Sequence, residues 1–357
     1  MLKEWMGTSR YIYNRALDES RINGVISSGE LTKKLVTQKS REGIINIQVP
    51  DWTFNTPKDI RKGSVRDLEK AFKTAVANLK RGNITHFKLG YRSKKTWASI
   101  ELPKTCLNFD GKLFIYPTYM EQGIKVSKRQ VKRDDIKFNH DCRLQYLRGQ
   151  WFLLVPCTKV SKPRPAPTKE CCALDPGVRT FQTIYSPDEL CKVQQNRVLI
   201  SKLHKRLDNL QSLRSKGSIT SSSYKRGAKR TWIKLINLVT EMHYKTIQYL
   251  KEFKTILLPS FDSQEMMSKR GLHSKTKRNM GYLSHYLFKT RLKNSPDIDP
   301  YSKVYIVCEA YTSKTCGQCG SLNISGVDTY NCRQCGLVTD RDINGARNIL
   351  LKHLKGI

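Results

Sequence analysis

Two Cys-x2-Cys pairs twelve residues apart, Cys316/Cys319 and Cys332/Cys335, constrain this chain more than any other feature. Four thiolates supplied as two knuckles suit tetrahedral Zn2+, and with four protein ligands no coordination position stays open, so the ion is expected to be structural. Gly317, Gly320 and Gly336 are expected to permit the tight knuckle turns. An acidic run follows at once, with Asp340 and Asp342 opening a stretch, 343–353, that reads as a final helix. Helix N-termini favour carboxylates through capping and the dipole, so capping is one reading of both.

Charge indicates what such a clip serves. Sixty-five Lys and Arg face thirty Asp and Glu, a formal charge of +35. That surplus exceeds what solubility requires and opposes compaction unless phosphates neutralise it, so a nucleic-acid partner is expected. Charge alone does not separate DNA from RNA, and a basic soluble enzyme or ribosome-associated protein is the plainer alternative. Carboxylates retained in such a chain point to metal ions acting on phosphates. No apolar h-region follows Met1, and runs such as Trp151–Val155 are too short to cross a membrane. Cysteines in strand-like apolar runs, such as Cys157 and Cys308, suit a reducing compartment, so secretion is not expected. The run Lys225–Arg230 has the composition of a nuclear-localisation signal.

Length allows two or three domains. Residues 1–84 read as helical: Val65, Leu68, Phe72, Val76 and Leu79 repeat at helical spacing after Pro57, and Gly82 is a plausible stop. From 85 to about 160 short β-rich stretches (97–102, 112–116, 124–126, 142–147, 151–156) are cut by turns at 108–111 and 148–150, which predicts a small antiparallel barrel. The proline-rich segment 161–168 reads as a linker. Three strands follow it, the first ending in Asp175, as an RNase H-like fold begins. Residues 194–253 then read as a basic antiparallel helical hairpin, with Leu203, Leu207, Leu210 and Leu213 lining one helix and Trp232, Ile236, Val239 and Ile247 the other. Strands at 255–258 and 303–309 enclose a basic helical stretch, 268–293.

Phosphodiester hydrolysis can use two Mg2+ ions held by a few carboxylates. A lone Asp175 is more often a turn or cap residue, but here it ends an apolar strand. Alternation places Glu309 on a face with Tyr305 and Val307, apolar company that invites a function. One carboxylate at a strand end and another at a helix start is the RNase H arrangement.

Three segments carry a family resemblance: Leu174–Arg179, Tyr311–Gly320 and Asp340–Ile349. They resemble the transposon-encoded TnpB proteins and, more closely, their eukaryotic and viral counterparts called Fanzor. Gly7–Leu17 is also similar to that family's N-terminal helical region. The resemblance implies an RNA-guided DNA endonuclease related to type V CRISPR effectors. Its fold would be α+β and multidomain: a helical recognition region (1–84), an antiparallel β-barrel or wedge with linker (85–168), and a RuvC-like RNase H fold (169–315) with the hairpin at 194–253. An inserted zinc ribbon (316–337) and a final RuvC segment (338–357) complete it.

Asp175 matches the first RuvC carboxylate and Asp342 the third, leaving Asp340 as a helix-end group. The usual second carboxylate falls at Pro259, which cannot bind metal. Glu309 stands where Fanzor-like members place a relocated Glu on the next strand, with Asp262 and Glu265 as rivals. Tyr311, Lys314 and Arg341 would position nucleic acid, or serve packing and ion pairs. Implied partners are two catalytic Mg2+ ions, a guide RNA from the flanking locus and double-stranded target DNA, in a monomeric ribonucleoprotein without membrane attachment. Localisation would be nuclear for a eukaryotic or viral source and cytoplasmic otherwise. Alternatives are a nuclease-inactive RNA-guided DNA-binding protein and a DNA transposase or accessory protein. Family members usually carry a further strand before Gly7, so the barrel is expected to lack one.

Overall fold

Amphipathic spacing near the N-terminus builds three helices: α1 (Leu2–Ile22), α2 (Ser28–Leu35) and α3 (Lys58–Lys80). A capping box from Ser27 and Glu30 opens α2. Pro57 precedes α3, and Gly82, at φ +70°, follows its end. Val65 and Leu68 are buried, but the stripe fades along α3 until Leu79 is 40% exposed. Thr8 and Ser9 from the Gly7–Leu17 segment meet α3 and its approach through buried hydroxyl pairs, Thr56 to Thr8 at 2.7 Å and Ser64 to Ser9 at 2.8 Å.

The computed structural model describes residues 1–24, 27–37, 49–94, 98–126, 137–147, 149–156, 165–268, 271–295, 297–323 and 328–354. Trp97, Arg148 and residues 161–164 of the expected linker lie outside the described residues. Two units form, Met1–Val160 and Ser161–Ile357.

In the first unit the small antiparallel β-structure comprises β1 (Ala98–Leu102), β2 (Leu107–Phe109), β3 (Leu113–Ile115), β4 (Cys142–Leu147) and β5 (Gln150–Leu154). Its ladders run β1-β4-β5 and β2-β3. The stretch 124–126 contributes only a bridge from Ile124 to Leu113. Ile100, Leu102, Leu113, Ile115 and Leu144 share one core with Trp5, Met6 and Ile60 of the helices. The division expected at residue 84 is therefore not a boundary between compact units, because helices and strands bury each other.

The second unit opens with β6 (Lys169–Pro176), β7 (Thr180–Tyr185) and β8 (Leu190–Gln194). The hairpin follows as α4 (Arg197–Ser215) and α5 (Ser221–Leu250), then β9 (Phe253–Pro259), α6 (Ser263–Ser268), α7 (Ser274–Leu283), α8 (His285–Lys293) and β10 (Lys303–Val307). Strand order is β10-β9-β6-β7-β8, with β6, β9 and β10 parallel and β6, β7 and β8 antiparallel. This is the RuvC-like RNase H topology. The zinc ribbon adds β11 (Thr329–Asn331) and β12 (Val338–Asp340), and α9 (Arg341–His353) ends the described chain.

Strand alternation separates the two faces of this sheet. Cys172, Leu174, Ile256 and Leu258 bury one face against Ile247, Leu250, Leu283 and Phe288. Ala173 and Leu257 bury the other against Ile349 and Leu350 of α9. Asp175, two residues beyond Ala173, therefore lies on the α9 side.

In the hairpin, Trp232 is 43% exposed rather than in the core. Val239 and Ile247 of the expected stripe are buried, and Thr231, Leu235, Thr246 and Leu250 share the buried face of α5 with them. The basic run Lys225–Arg230 is helical, and its small residues serve the packing: a Cβ on Gly227 would approach Leu210 to 3.1 Å.

Behind the sheet, Phe181 is stacked between His243 and His285, each ring centroid 5.0 Å away. Arg291 can only donate, so its 3.0 Å contact makes His243 Nδ1 an acceptor, and Nε2 donates to the Leu283 carbonyl at 2.9 Å. That arrangement requires neutral imidazole. Burial, with Arg291 and His285 adding to it, pushes His243 down to about 4, and burial pushes His285 down to about 4. These depressed values give stability that is present above the unfolded value of about 6.5 and is lost as pH falls towards 4. The melting midpoint is expected to drop by roughly 5 °C from pH 7 to pH 5 on account of these rings. His243→Gln should lessen that drop in a thermal melt series, and an equal drop would contradict the assignment.

Candidate active site and zinc ribbon

The four cysteine sulfurs lie within 4.8 Å of one another. Cys316 to Cys335 and Cys319 to Cys332 are both 3.6 Å, close to the roughly 3.8 Å edge of a tetrahedron built on Zn–S bonds of about 2.3 Å. Each knuckle closes alike: Gly320 N–H donates to the Cys316 carbonyl and Gly336 N–H to the Cys332 carbonyl, both at 3.0 Å. Backbone N–H groups of Gln318 and Cys335 point at the Cys316 and Cys332 sulfurs, at 3.4 and 3.5 Å. Gly320 and Gly336 take φ +78° and +74°, which glycine adopts without strain. The site fits structural zinc. Gly317 has a different job from the turn expected of it. A Cβ there would stand 3.1 Å from Asn344 Oδ1 and 3.2 Å from Arg347 Cδ, so it lets the ribbon close onto α9.

Asp175 sits near the C-terminal end of β6, beyond the last pairing of β6 with β9, Ala173 to Leu257. Open parallel sheets present their ligand-binding crevices at such strand ends. Glu309 lies two residues past β10, not within a strand running to 309. Its carbonyl accepts from Thr312 N and Oγ1 at 3.2 and 2.8 Å. Strand β9 lies between β6 and β10, so the two strands stand roughly 10 Å apart, a gap their side chains narrow from both sides. Asp342 is in the first turn of α9, on the face of the sheet that Asp175 shares.

Burial pushes the Asp175 carboxyl up to about 8, helped by the negative charges of Asp342, Glu309 and Asp340 and opposed by Arg341. Burial raises Glu309 too. Crowded carboxylates in a partly desolvated site are held ionised by cations, and an all-oxygen donor set suits Mg2+. The residues present therefore fit the implied ions. Among the described residues the carboxylates do not gather as tightly as the four sulfurs, whose group alone has all its ligand atoms within 4.8 Å.

Asp340 is the N-cap of α9, accepting from Asp342 N at 2.9 Å and Ile343 N at 3.2 Å. Its other oxygen meets Lys192 Nζ at 2.6 Å. Burial works against its charge, but Lys192 and the two backbone donors outweigh it and lower its pKa. Asp262 caps α6 through Gln264 N and Glu265 N, and both Asp262 and Glu265 are exposed. Tyr311 is 69% exposed at φ +67°, and Lys314 is exposed beside it.

Sequence reasoning missed Gly345. A Cβ at this position would fall 2.6 Å from Asp175 Oδ2, so only glycine lets α9 pass the carboxylate. Helix propensity alone favours alanine by about 1 kcal/mol. Gly345→Ala is nevertheless expected to lower stability by about 1–3 kcal/mol through overpacking. A melting curve checks this, and a gain in midpoint would show that the helix shifts freely. Also missed was a groove of about 770 Å³ in the first unit, with Lys3, Arg10, Arg92 and Arg143 along it and Tyr146 and Trp151 rings 4.7 Å apart. Asp67 holds two of those arginines, Arg92 at 3.0 Å and Arg143 at 2.9 Å. Its residues come from helix, loop and strands distant in sequence, so no local motif announces it.

Comparison with known proteins decides the family. A "Putative transposase" of Paramecium bursaria Chlorella virus 1 is 31% identical over 99% of this chain and 83% of that protein. A "TnpB-like protein" of Acanthamoeba polyphaga mimivirus is 26% identical over 99% of this chain and 71% of its own length. The chain belongs to the TnpB-like transposase family. Within this TnpB-like chain, residues 300–349 match the Cas12f1-like TNB domain, a span that holds Glu309, the ribbon and Asp342. A "Putative RNA-guided DNA endonuclease" of Streptomyces pristinaespiralis is 23% identical over 98% of the chain and 84% of that protein. Among solved structures, a Cas12f1-sgRNA-target DNA complex shares the fold at TM-score 0.52 and 13% identity, covering 98% of this chain and 81% of that one.

Proposed function

We propose that this TnpB-like chain is an RNA-guided DNA endonuclease, of the Fanzor type, whose Asp175, Glu309 and Asp342 hold two Mg2+ ions. The observation that carries the reading is the buried Asp175 at a strand end, its carboxyl pushed up by burial and by the negative charges of Asp342 and Glu309, in a chain of formal charge +35. A protein that only bound DNA would gain nothing from several negative charges around a buried carboxyl where its partner is a polyanion. The name of the Streptomyces relative, a putative RNA-guided DNA endonuclease, supports guide RNA and DNA as partners.

Bound Mg2+ would supply an activated water and charge stabilisation for the leaving oxygen. The chain's own groups do the rest. Asp175, Glu309 and Asp342 offer oxygen ligands from a strand end, a loop and a helix start. Arg341 brings positive charge near Asp175, where it can meet a phosphate. Tyr311 and Lys314, exposed on the segment between Glu309 and the ribbon, would guide the scissile strand. The basic groove with Tyr146 and Trp151 offers phosphate contacts and stacking rings. The particle would be one chain with one RNA from the flanking locus, acting in the nucleus of a eukaryotic host.

Purification with the co-expressed flanking locus, followed by sequencing of the bound RNA, tests the guide. A plasmid matched to that RNA is expected to be cut when Mg2+ is added. Specific binding of the matched plasmid without cutting would favour the nuclease-inactive DNA-binding alternative.

A further inference from the structure

The segment that carries Glu309 leaves the sheet after Val307 and has no ladder to satisfy its backbone. Four of its carbonyls, those of Cys308, Ala310, Thr312 and Thr315, turn to one side of α9 instead. Asn344 Nδ2 donates to the Thr315 carbonyl at 2.7 Å, and Asn348 Nδ2 donates to the carbonyls of Thr315 and Thr312 at 2.6 and 2.9 Å. Lys352 Nζ donates to the Ala310 carbonyl at 3.1 Å, and His353 Nε2 meets the Cys308 carbonyl at 3.1 Å. Positions 344, 348 and 352 are spaced by four, so they form one row on the helix. Both asparagines are buried, 2% and 6% exposed. Asn344 Oδ1 also accepts from Gly317 N at 3.0 Å, which extends the row into the first zinc knuckle.

We propose that Asn348, with Lys352, is a positioning residue for Glu309, and that this row sets the distance between Glu309 and Asp342 on the same helix. The inference rests on the reading of Glu309 as a metal ligand. Thr312 is the link: Asn348 fixes its carbonyl while its N–H and hydroxyl hold the Glu309 carbonyl. Asn344 ties the far end of the segment to the ribbon. The row converts the position of the ribbon into the position of a carboxylate. Partners that orient metal ligands typically change metal affinity by about 10- to 100-fold when removed.

Asn348→Asp tests this with almost no change of shape, because a carboxylate cannot donate to the two carbonyls. Mn2+ is titrated into the full, zinc-loaded, RNA-free chain and free ion is followed by electron paramagnetic resonance, with Asp175→Ala as the blank. Asn348→Asp is expected to weaken the site's Mn2+ binding by about tenfold or more while zinc stays bound. In a Glu309→Gln background the same change is expected to have no further effect. Mn2+ affinity within twofold of wild type, or equal weakening in both backgrounds, overturns the proposal. Glu309→Gln that binds Mn2+ like wild type would instead sink the ligand reading itself. Should Asn348→Asp fail to fold, Lys352→Met at the exposed end of the row decides: about tenfold weaker binding supports the proposal, and unchanged binding ends it.

Discussion

Glu309→Gln is expected to reduce cleavage of a matched plasmid by about a hundredfold or more. Glutamine keeps the shape and loses the charge. A metal-borne contribution of several kcal/mol to the transition state, at about 1.4 kcal/mol per factor of ten, sets that scale. The effect should fall on cleavage and spare target binding, since Glu309 is half-buried and adds its negative charge to the surroundings of Asp175 rather than to a basic surface. Asp262→Asn and Glu265→Gln serve as controls. Asp262 spends an oxygen on capping α6, and neither side chain is buried, so both variants should cut at near wild-type rates. Equal losses in Glu309→Gln and Asp262→Asn would move the second carboxylate to the β9 side.

Removing zinc should be more damaging to structure than losing any one carboxylate. Structural zinc sites in small peptides contribute about 10–16 kcal/mol at neutral pH, and this ribbon has little else holding it. Its core is Cys316, Tyr330 and Cys332, with Leu337 against them. Cys332→Ser, or a strong chelator, is therefore expected to unfold the ribbon. The Gly317 contact with Asn344 would go with it, leaving the buried Asn344 Oδ1 without its donor. Loss of protection by hydrogen exchange across 316–340, spreading into 308–315, is the expected pattern. β6 and β9, at the centre of the sheet, should stay protected. A ribbon that keeps full protection without zinc would contradict the structural role.

Much of this was readable from local rules. The knuckles follow from spacing, two turns from Gly111 and Gly149, both found at positive φ, and α3 from its apolar repeat. The places of Asp175 at a strand end and Asp342 at a helix start were legible because each has a sequence signature. The rest depends on approach in three dimensions. Gly317 and Gly345 read as flexible residues but are spacers, one for the ribbon and one for Asp175. Asn344 and Asn348 resemble ordinary helix-surface amides until the carbonyls of 312 and 315 come under them. Trp232 fits an apolar repeat on paper, but α5 buries Val239 and Ile247 of that repeat together with Leu235 and leaves Trp232 outside. Alternation carried the strand of Glu309 too far, since β10 ends at Val307. The ladder with β9 stops at Val307, opposite Pro259, which ends β9 and has no N–H to donate.

The central claim is that the carboxylates around Asp175 are a cleavage site. It is tested most directly by comparing wild type with Asp175→Ala, each loaded with the same guide RNA, on matched plasmid with Mg2+. The account predicts that both bind, that wild type cuts, and that Asp175→Ala leaves the plasmid intact. Binding without cutting by both, or cutting by both, would contradict it.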